Sequence, residues 1–311
     1  MKISYEGKML ETLKMPPRSE VEQALLKALF KHNGTIKEFS LNEDIVDELA
    51  TDFSLNEAQR TAFLESLYRK ENRIKKSYLW PRLLYRAAAA LEKRKFVSNP
   101  TSTFHLTNKK EWMLTENGFD AALNILHIPL SKKEHLPTKS YEVQKIVKEI
   151  TELQAPENYD PFDKGKKIVK VTRESALRTR GFRQAVIEEY DFKCSFCGMK
   201  LSTPDSLLWE VEAAHIVPHS SKGKDDIWNG LALCHLHHWA FDVGWFTLQN
   251  DFSIQVSSKI NSLPTDFAKL GDYNFLKVFA NDTLKMNLPK RKQFYPHENA
   301  ITWHRQNRFH Q

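Results

Sequence analysis

Residues 212–242 read EAAHIVPHSSKGKDDIWNGLALCHLHHWAFD, and this stretch decides the fold of the C-terminal part of the chain. Residues 211–217 carry the alternating pattern of a strand, and residues 231–233 suit a second strand. The polar segment between them predicts a loop. The chain from His238 onward predicts a helix. The stretch therefore predicts two short strands followed by one helix.

Two pairs of soft metal ligands accompany this stretch. Cys194 and Cys197 are separated by two residues, and Cys234 and His237 repeat that spacing further along the chain. Two such knuckles supply the four thiolate or imidazole ligands that tetrahedral zinc requires. All four positions are then protein ligands, so the predicted role of Zn²⁺ is structural. The chain has only 3 cysteines, and this hypothesis uses them all without a disulfide.

A second polar set lies between and beside the knuckles: His215, Asn229 and His238. Two strands and a helix, pinned by zinc at the start and the end, would bring these three side chains to one face. Two imidazoles and an amide on one face indicate a metal-assisted hydrolytic site.

The pattern EAAHI-P…NGLALC-xx-HH-xx-FD-x-G resembles the HNH endonuclease superfamily with its ββα-metal fold, in particular the branch found in bacterial restriction-type HNH proteins. The lead-in RGFRQAVIEEYDFKCSFCG and the tail segments LPKRKQFYP and ITWHRQNRF are similar to that branch, so the resemblance covers roughly residues 173–309. It implies that His215 is the general base, that Asn229 orients the loop of the base, and that His238 is a ligand of one divalent cation.

One position departs from the family pattern. Many HNH proteins place an Asp or a His directly before the base histidine as a second metal ligand, and this chain has Ala214 there. Asp242 is the best replacement, because residues i and i+4 share a helix face and His238 with Asp242 could clamp one ion. Glu212 is the reserve candidate. Oxygen ligands with one imidazole predict Mg²⁺ or Mn²⁺ as the catalytic metal.

Length and composition limit the class of protein. The chain has 311 residues, of which 41% are hydrophobic, and a formal net charge of +7. This length predicts about two domains, and the composition excludes disordered, collagenous and low-complexity proteins. No window reaches the roughly 18 apolar residues of a membrane helix, and the first residues lack the apolar core of a secretory signal. We therefore expect no membrane partner and a cytoplasmic location.

Positive charge is concentrated in the N-terminal part of the chain. Residues 69–95 hold ten Lys or Arg against two Glu, whereas residues 201–250 hold two Lys against six Asp or Glu. A basic stripe attracts polyanions, and an acidic pocket can hold a cation. Part of the stripe falls on a predicted amphipathic helix, with Arg82, Arg86 and Lys93 off its apolar face.

The N-terminal pattern predicts helices followed by a small hairpin and a last helix. Ser19 and Glu22 have the spacing of a capping box at the start of the first helix. The further predicted elements are helices around 45–53 and 57–69 and from Pro81, short strands at 96–98, 104–106 and 112–114, a turn at 99–101, and a closing helix through Leu126. This order is the outline of a winged helix.

The stretch LWPRLLYRAAAALEKRKFV…WMLTENGFDAAL resembles the N-terminal winged-helix domain of Mrr-type restriction enzymes, over about residues 15–126. The candidate DNA-contacting residues are Arg82, Arg86, Lys93 and Arg94 in this part, with Arg183 neutralising phosphate near the cut. We thus predict an α+β protein. A winged helix-turn-helix DNA-reading domain occupies 1–126, a helical linker 127–172, and a zinc-stabilised ββα-metal (HNH) nuclease domain 173–311.

The predicted function is DNA endonuclease. An HNH site grips the backbone of one strand and carries little sequence information, so specificity is expected in the other domain. Enzymes resembling this one include restriction nucleases that cut only modified DNA. This favours a modification-dependent phage-defence nuclease acting on methylated or otherwise modified double-stranded DNA. Because two strands must be cut, we expect a homodimer on DNA.

RNA as the substrate stays open at this point, and so do two other functions. The first is an ordinary type II restriction endonuclease that reads unmodified sequence and has a methyltransferase partner. The second is a DNA-binding regulator whose HNH-like zinc domain has lost catalysis. The intact His215, Asn229 and His238 argue against the regulator, whereas Ala214 leaves it open.

Overall fold

The computed structural model describes residues 4–40, 43–68, 73–154, 158–163, 173–261 and 285–311. The chain forms two compact units, Met1–Lys145 and Ile146–Gln311. Both contain helices and strands, in keeping with the predicted mixed class. The unit boundary falls inside the segment 127–172 that was predicted as a linker, of which 155–157 and 164–172 lie outside the described residues. No helix in the described part of the chain is both long and apolar enough to cross a membrane.

The helices of the first unit are α1 (Tyr5–Thr12), α2 (Arg18–Lys31), α3 (Asp44–Asp52), α4 (Glu57–Thr61), α5 (Leu79–Lys93), α6 (Pro100–Thr107) and α7 (Glu116–Ile125), and α8 (Tyr141–Glu152) runs across the unit boundary. Its strands are β1 (Thr35–Lys37), β2 (Phe63–Tyr68), β3 (Arg73–Tyr78), β4 (Val97–Ser98) and β5 (Glu111–Leu114). β1, β5 and β4 form an antiparallel sheet in that order, and β2 pairs with β3 as a separate hairpin.

The core of the first unit lies where α2, α5 and α7 meet. Leu25, Leu84 and Phe119 are fully buried there, one from each helix. Apolar residues recur every three or four positions along these helices, so each helix buries one stripe. The indole N–H of the buried Trp80 donates to the carbonyl of Val46 at 2.9 Å, which satisfies the polar atom of this large side chain.

The small sheet of this unit was predicted only in part. The strands predicted at 96–98 and 112–114 are confirmed as β4 and β5, and the helix after Thr115 is confirmed as α7. The strand predicted at 104–106 is wrong, because these residues lie in α6. The side-chain oxygen of Asn99 accepts a hydrogen bond from the backbone N–H of Ser102 and so caps the start of α6. Pro100 occupies the first helical turn.

Two predictions at helix ends are also wrong. The helix predicted over 57–69 stops at Thr61, and the chain continues as β2. There the Phe63 ring meets the Tyr78 ring of β3 edge to face, a cross-strand contact that no local helical pattern can reveal. Residue 69 itself lies outside the described residues.

The predicted capping box at the start of α2 is the second error. Pro17 stands at the N-cap without a side-chain cap, and Ser19 lies inside the helix. The carboxylate of Glu22 pairs instead with Arg18 at 3.2 Å and with Arg94. An ion pair has therefore replaced the expected bond to the backbone amide.

The predicted DNA-contacting side chains of this unit are Arg82, Arg86, Lys93 and Arg94, on α5 and directly after it. Two of them share one acidic partner. Glu6 of α1 accepts from Arg82 Nε at 3.0 Å and from Arg86 Nη2 at 2.7 Å. Its side chain is only 11% exposed, whereas both arginines remain about half exposed. The N-terminal helix thus covers part of the basic face with negative charge. Residues 69–72 of the basic stripe lie outside the described residues.

The helices of the second unit are α9 (Arg173–Glu189), α10 (His235–Asp242) and α11 (Glu298–Asn307). Its strands are β6 (Val211–His215), β7 (Gly230–Cys234), β8 (Phe246–Leu248) and β9 (Ile254–Val256). β6 pairs antiparallel with β7, and β8 with β9. Strand, strand and helix follow in the predicted order, and α10 begins at His235, three residues before the predicted start.

Helix α9 packs on the β6–β7 pair and sets its distance from the strands. Its buried side chains Phe182 and Val186 lie over Gly230 at the start of β7. A Cβ at position 230 would come within 2.4 Å of Val186 Cγ2, so this position has room for glycine alone. The close approach brings the Phe182 ring to the end of β6, where the predicted base lies.

Candidate nuclease site

The predicted base, His215, is the last residue of β6 and pairs with Gly230 of β7. Its imidazole stacks on the Phe182 ring with the centroids 4.1 Å apart and an interplanar angle of 19°. The His215 side chain keeps 14% of its exposure. The ring is therefore held in one orientation while one edge stays accessible, as proton transfer to a bound water requires.

Asn229 is fully buried and holds the connection between the two strands. Its Oδ1 accepts from the Val217 amide at 2.8 Å, and its Nδ2 donates to the carbonyls of Val217 at 3.0 Å and Lys224 at 2.9 Å. One side chain thus ties together both ends of residues 217–224. The connection is so tight that a Cβ at Gly223 would lie 1.7 Å from the Val217 carbonyl oxygen. The orienting role that the family resemblance implies for Asn229 stays a prediction.

Asp225 lies beside the base and was not among the predicted site residues. Its Oδ1 is 2.9 Å from Nε2 of His215 and 2.8 Å from Nε2 of His219. Burial by itself raises the pKa of the Asp225 carboxyl, but the hydrogen bonds from the two imidazoles outweigh it and hold that pKa well below its usual range. The only signal in the sequence was an acidic pair in the loop, and the pattern did not tell Asp225 from Asp226.

The predicted metal ligand His238 lies on α10 between two carboxylates. Its Nδ1 is 3.0 Å from Oε2 of Glu212, and its Nε2 is 3.5 Å from Oδ2 of Asp242. Glu212 stands two residues before Ala214 on β6, hence on the same face of the strand. β6 therefore presents the Glu212 carboxylate to His238, two residues before Ala214, the position where many HNH proteins have an Asp or a His.

These charges shift the pKa values of both partners. Burial lowers the pKa of His238, but the hydrogen bond to Glu212 and the charges of Asp242 and Glu212 outweigh it, so the pKa is raised. The hydrogen bond from His238 in turn lowers the pKa of Glu212 to about 2, against the effect of burial. Arg183 of α9, a predicted phosphate contact, also acts to lower the pKa of Glu212, which places its charge near β6.

A cleft of about 240 Å³ opens at this end of the strands. It is lined by His215, Ile216, Pro218, Ser220, Asp242, His304 and Arg308. The predicted base and the predicted metal ligand Asp242 thus face one space. Burial lowers the pKa of His304 to about 4, so this imidazole is neutral near pH 7. Arg308, which was not predicted, brings the cleft a positive charge that also acts on Asp242.

The four predicted zinc ligands converge. The ligand atoms of Cys194, Cys197, Cys234 and His237 all lie within 4.8 Å of one another. His237 Nδ1 is 2.9 Å from Sγ of Cys234 and 3.7 Å from Sγ of Cys194. Hydrogen bonds from the Cys194 and Cys234 thiols lower the pKa of Cys197 to about 3. Three thiols and one imidazole, mostly buried, form a donor set compatible with zinc.

Within the described ranges, two groups bring three or more metal-ligand side chains this close. One is the Cys₃His group, and the other is His215, His219 and Asp225. The pair His238 and Asp242 offers two ligand atoms beside the cleft. Divalent cations that prefer oxygen bind through one or two carboxylates and complete their shell with water and substrate oxygens, so two protein ligands are enough.

Comparison with known proteins agrees with this geometry. Residues 194–249 match the family described as "HNH endonuclease". No curated protein matches the chain. Among solved structures, the chain is similar to a "Modification dependent TagI restriction endonuclease", with 19% sequence identity and a TM-score of 0.30. That likeness covers 40% of this chain and 36% of the other.

The matched range begins at the first cysteine of the Cys₃His group and runs through β6, β7, α10 and β8. It includes His215 and Asn229, which lie at the end of the strand pair where His215 pairs with Gly230, and His238, which contacts Glu212 of β6. Residues 194–249 are therefore an HNH endonuclease domain.

Proposed function

We propose that the protein is a DNA endonuclease that hydrolyses a phosphodiester bond with one divalent cation. His215 acts as the general base, and His238 with Asp242 holds the metal. The observation that carries this proposal is the shared cleft, which His215 lines from the end of β6 and Asp242 from the end of α10. A scissile phosphate in that cleft would have the base on one side and the cation on the other.

The contacts of His238 favour Asp242 over Glu212 as the second ligand. A metal-bound histidine uses one ring nitrogen and donates the other N–H to a carboxylate. Nδ1 lies at hydrogen-bonding distance from Glu212, and Nε2 lies 3.5 Å from Asp242. Glu212 then orients the imidazole, and Nε2 with Asp242 binds Mg²⁺ or Mn²⁺. The bound cation supplies positive charge for the phosphate and the leaving 3′ oxygen.

The remaining cleft residues complete the site. His215 takes a proton from the attacking water, and Asn229 keeps the adjoining connection in place through its three hydrogen bonds. Arg308 lines the same cleft and is suited to bind a phosphate oxygen of the substrate. Zn²⁺ in the Cys₃His group fixes the start of α10. Because His237 directly precedes His238, the structural ion also sets the position of the catalytic ligand.

For the first unit we propose a winged helix-turn-helix that reads DNA. Two features support it: α5 is followed by β4, which pairs antiparallel with β5 beyond α6, and the exposed side chains of Arg86, Lys93 and Arg94 lie on α5 and directly after it. An HNH site contacts mainly the backbone, so a separate reader is needed for selectivity. We propose that this reader makes the enzyme dependent on modified bases, that it acts as a homodimer, and that it serves cytoplasmic defence against phage.

The test is a digest by the full-length protein with Mg²⁺ or Mn²⁺. The substrates are one plasmid in three forms: adenine-methylated, cytosine-modified and unmodified. We expect double-strand cleavage of a modified form alone. The variant His215→Ala should bind the same DNA and retain its zinc but cut nothing. Equal cutting of all forms would contradict the dependence on modification, and cutting of unmodified DNA alone would favour the type II enzyme. Binding without any metal-dependent cutting by the wild type would favour the regulator.

A further inference from the structure

We propose that Asp225 is a positioning residue for the base. Its carboxylate accepts a hydrogen bond from the Nε2–H group of His215. This leaves Nδ1 as the atom that takes the proton from water. The inference rests on the proposed function, because it concerns the same active site. It adds a carboxylate that was not among the predicted site residues and lies ten positions after the base, in the connection between β6 and β7.

Three contacts hold the His215 ring. The ring stacks on Phe182 at 4.1 Å, which fixes its plane. The His219 ring meets it edge to face at 4.4 Å. The bond from Nε2 to Asp225 at 2.9 Å then fixes the rotation within that plane. Since a neutral imidazole carries one proton, an N–H at Nε2 leaves the lone pair at Nδ1.

The charge of Asp225 suits this role. The carboxylate is 7% exposed, and its pKa is held below its usual range, so it is ionised throughout the pH range in which a histidine acts as base. In the proposed step, an O–H bond of water breaks and its proton goes to Nδ1. The oxygen electron pair forms the new bond to phosphorus, and the bond to the 3′ oxygen breaks with its electrons on that oxygen. The imidazolium keeps its Nε2 proton toward Asp225, which stabilises the positive charge without taking the proton.

The backbone around Asp225 is fixed by the same amide that holds the base loop. The side-chain Nδ2 of Asn229 donates to the carbonyl of Lys224, directly before Asp225. The backbone N–H of Asn229 donates to the carbonyl of Asp226, directly after it. Asn229 therefore positions the carboxylate as well as the connection. This links the central residue of the motif to the base through Asp225.

Other charged groups also face His215. His219 and Asp225 come from the connection, Asp242 from α10, His304 from α11 and Arg308 from the residue after it, while α9 contributes the Phe182 ring. His219 shares the same Oδ1 of Asp225 at 2.8 Å. The three close side chains His215, His219 and Asp225 could alternatively hold a metal ion. That reading would remove His215 from its role as base, so the experiment must separate the two.

The experiment measures single-turnover cleavage of the modified plasmid by the full-length variant Asp225→Asn across pH and Mn²⁺ concentration. Asp226→Asn is the matched control, because the neighbouring carboxylate is also buried but lies 3.5 Å from the Tyr159 hydroxyl instead. We expect Asp225→Asn to cut on the order of 100-fold more slowly, with unchanged DNA affinity and unchanged half-saturating Mn²⁺. Loss of the negative charge lowers the basicity of His215, so the acid limb of the pH–rate profile should move to lower pH. Asp226→Asn should keep the wild-type limb.

Several outcomes would overturn the inference. A wild-type rate and pH profile for Asp225→Asn would do so, and so would a slow rate that high Mn²⁺ restores, which would make the cluster a metal site. If Asp225→Asn does not fold, His219→Ala serves instead. It removes the competing donor, so the acid limb should move to higher pH, and an unmoved limb would count against the proposal. Failure of the wild type to cut, or full activity of His215→Ala, would refute the proposed function itself.

Discussion

The two ends of the β6–β7 pair offer opposite surroundings to a metal ion. At one end, where Val211 pairs with Cys234, three thiols and His237 form a mostly buried group. At the other end, where His215 pairs with Gly230, two imidazoles and the Asp242 carboxylate line an open cleft. The closed end leaves no position for substrate, whereas the open end does. Under the proposed function, one small strand pair would thus separate a structural zinc site from the site of the catalytic cation.

His237 belongs to the Cys₃His group, and the adjacent His238 contacts Asp242, which lines the cleft. Substitutions of these two histidines therefore test the comparison directly. We expect His237→Ala to have the largest effect, with loss of zinc and of the cooperative unfolding of the second unit, because structural zinc contributes roughly 10 kcal/mol or more to such domains. Zinc content and thermal unfolding followed by circular dichroism measure this. His235→Ala, an exposed neighbour on the same turn, is the control and should keep both. If the zinc-free variant unfolded at the wild-type temperature, the Cys₃His group would have no structural role and the contrast between the two ends would fail.

His238→Ala should show the reverse behaviour. Zinc content and melting temperature should stay at wild-type values, while metal-dependent cleavage falls by at least about 100-fold, because a Lewis-acid ion contributes several kcal/mol to the transition state. Cleavage assays over a Mn²⁺ series measure this. If the variant lost its zinc as well, the two ends would form one coupled site.

The two carboxylates around His238 should differ in kind. Asp242→Asn removes a proposed ligand, and Glu212→Gln removes only the acceptor that orients the imidazole. We expect the half-saturating Mn²⁺ concentration to rise about 10-fold for Glu212→Gln and further for Asp242→Asn. The readout is the Mn²⁺ dependence of single-turnover cleavage. A larger effect at Glu212 would exchange the two roles and make Glu212 the ligand.

The smallest expected effect lies in the first unit and separates binding from cutting. Glu6→Gln should release Arg82 and Arg86 from their shared partner and tighten DNA binding about two- to fivefold, since partly exposed ion pairs are weak. Fluorescence anisotropy at low salt measures the affinity, and Glu11→Gln on the same helix is the control. The Mn²⁺ dependence of cleavage should not change. Equal affinity of Glu6→Gln and wild type would show that α5 does not contact DNA through these arginines.

The predictable part of this protein is the part with short, regular spacing. The pairs Cys194 with Cys197 and Cys234 with His237 predict a converging ligand set because a knuckle places such residues side by side, and their atoms do converge. β6, β7 and α10 follow the local pattern as well.

What could not be predicted depends on contacts distant in the sequence or on irregular backbone. Asp225 reaches His215 from a loop, and Arg308 reaches the cleft from the end of a helix, where no periodicity tells the direction of a side chain. The change from α4 to β2 at residues 61–63 depends on pairing with β3, and α6 depends on the single cap at Asn99. Tertiary pairing and capping overrode the local pattern in both cases.

The bonds of the Asn229 side chain have a consequence for variation and engineering. Because they close residues 217–224 into a ring at Val217 and Lys224, the contacts of His215 with Phe182 and Asp225 do not depend on residues 220–222, whereas His219 contacts the His215 ring itself. The tip can therefore be exchanged or lengthened to alter contacts with DNA while the base stays in place. Gly223 is the exception, since any larger residue there would meet the Val217 carbonyl. The enzyme can thus acquire new preferences at this loop without rebuilding its chemistry.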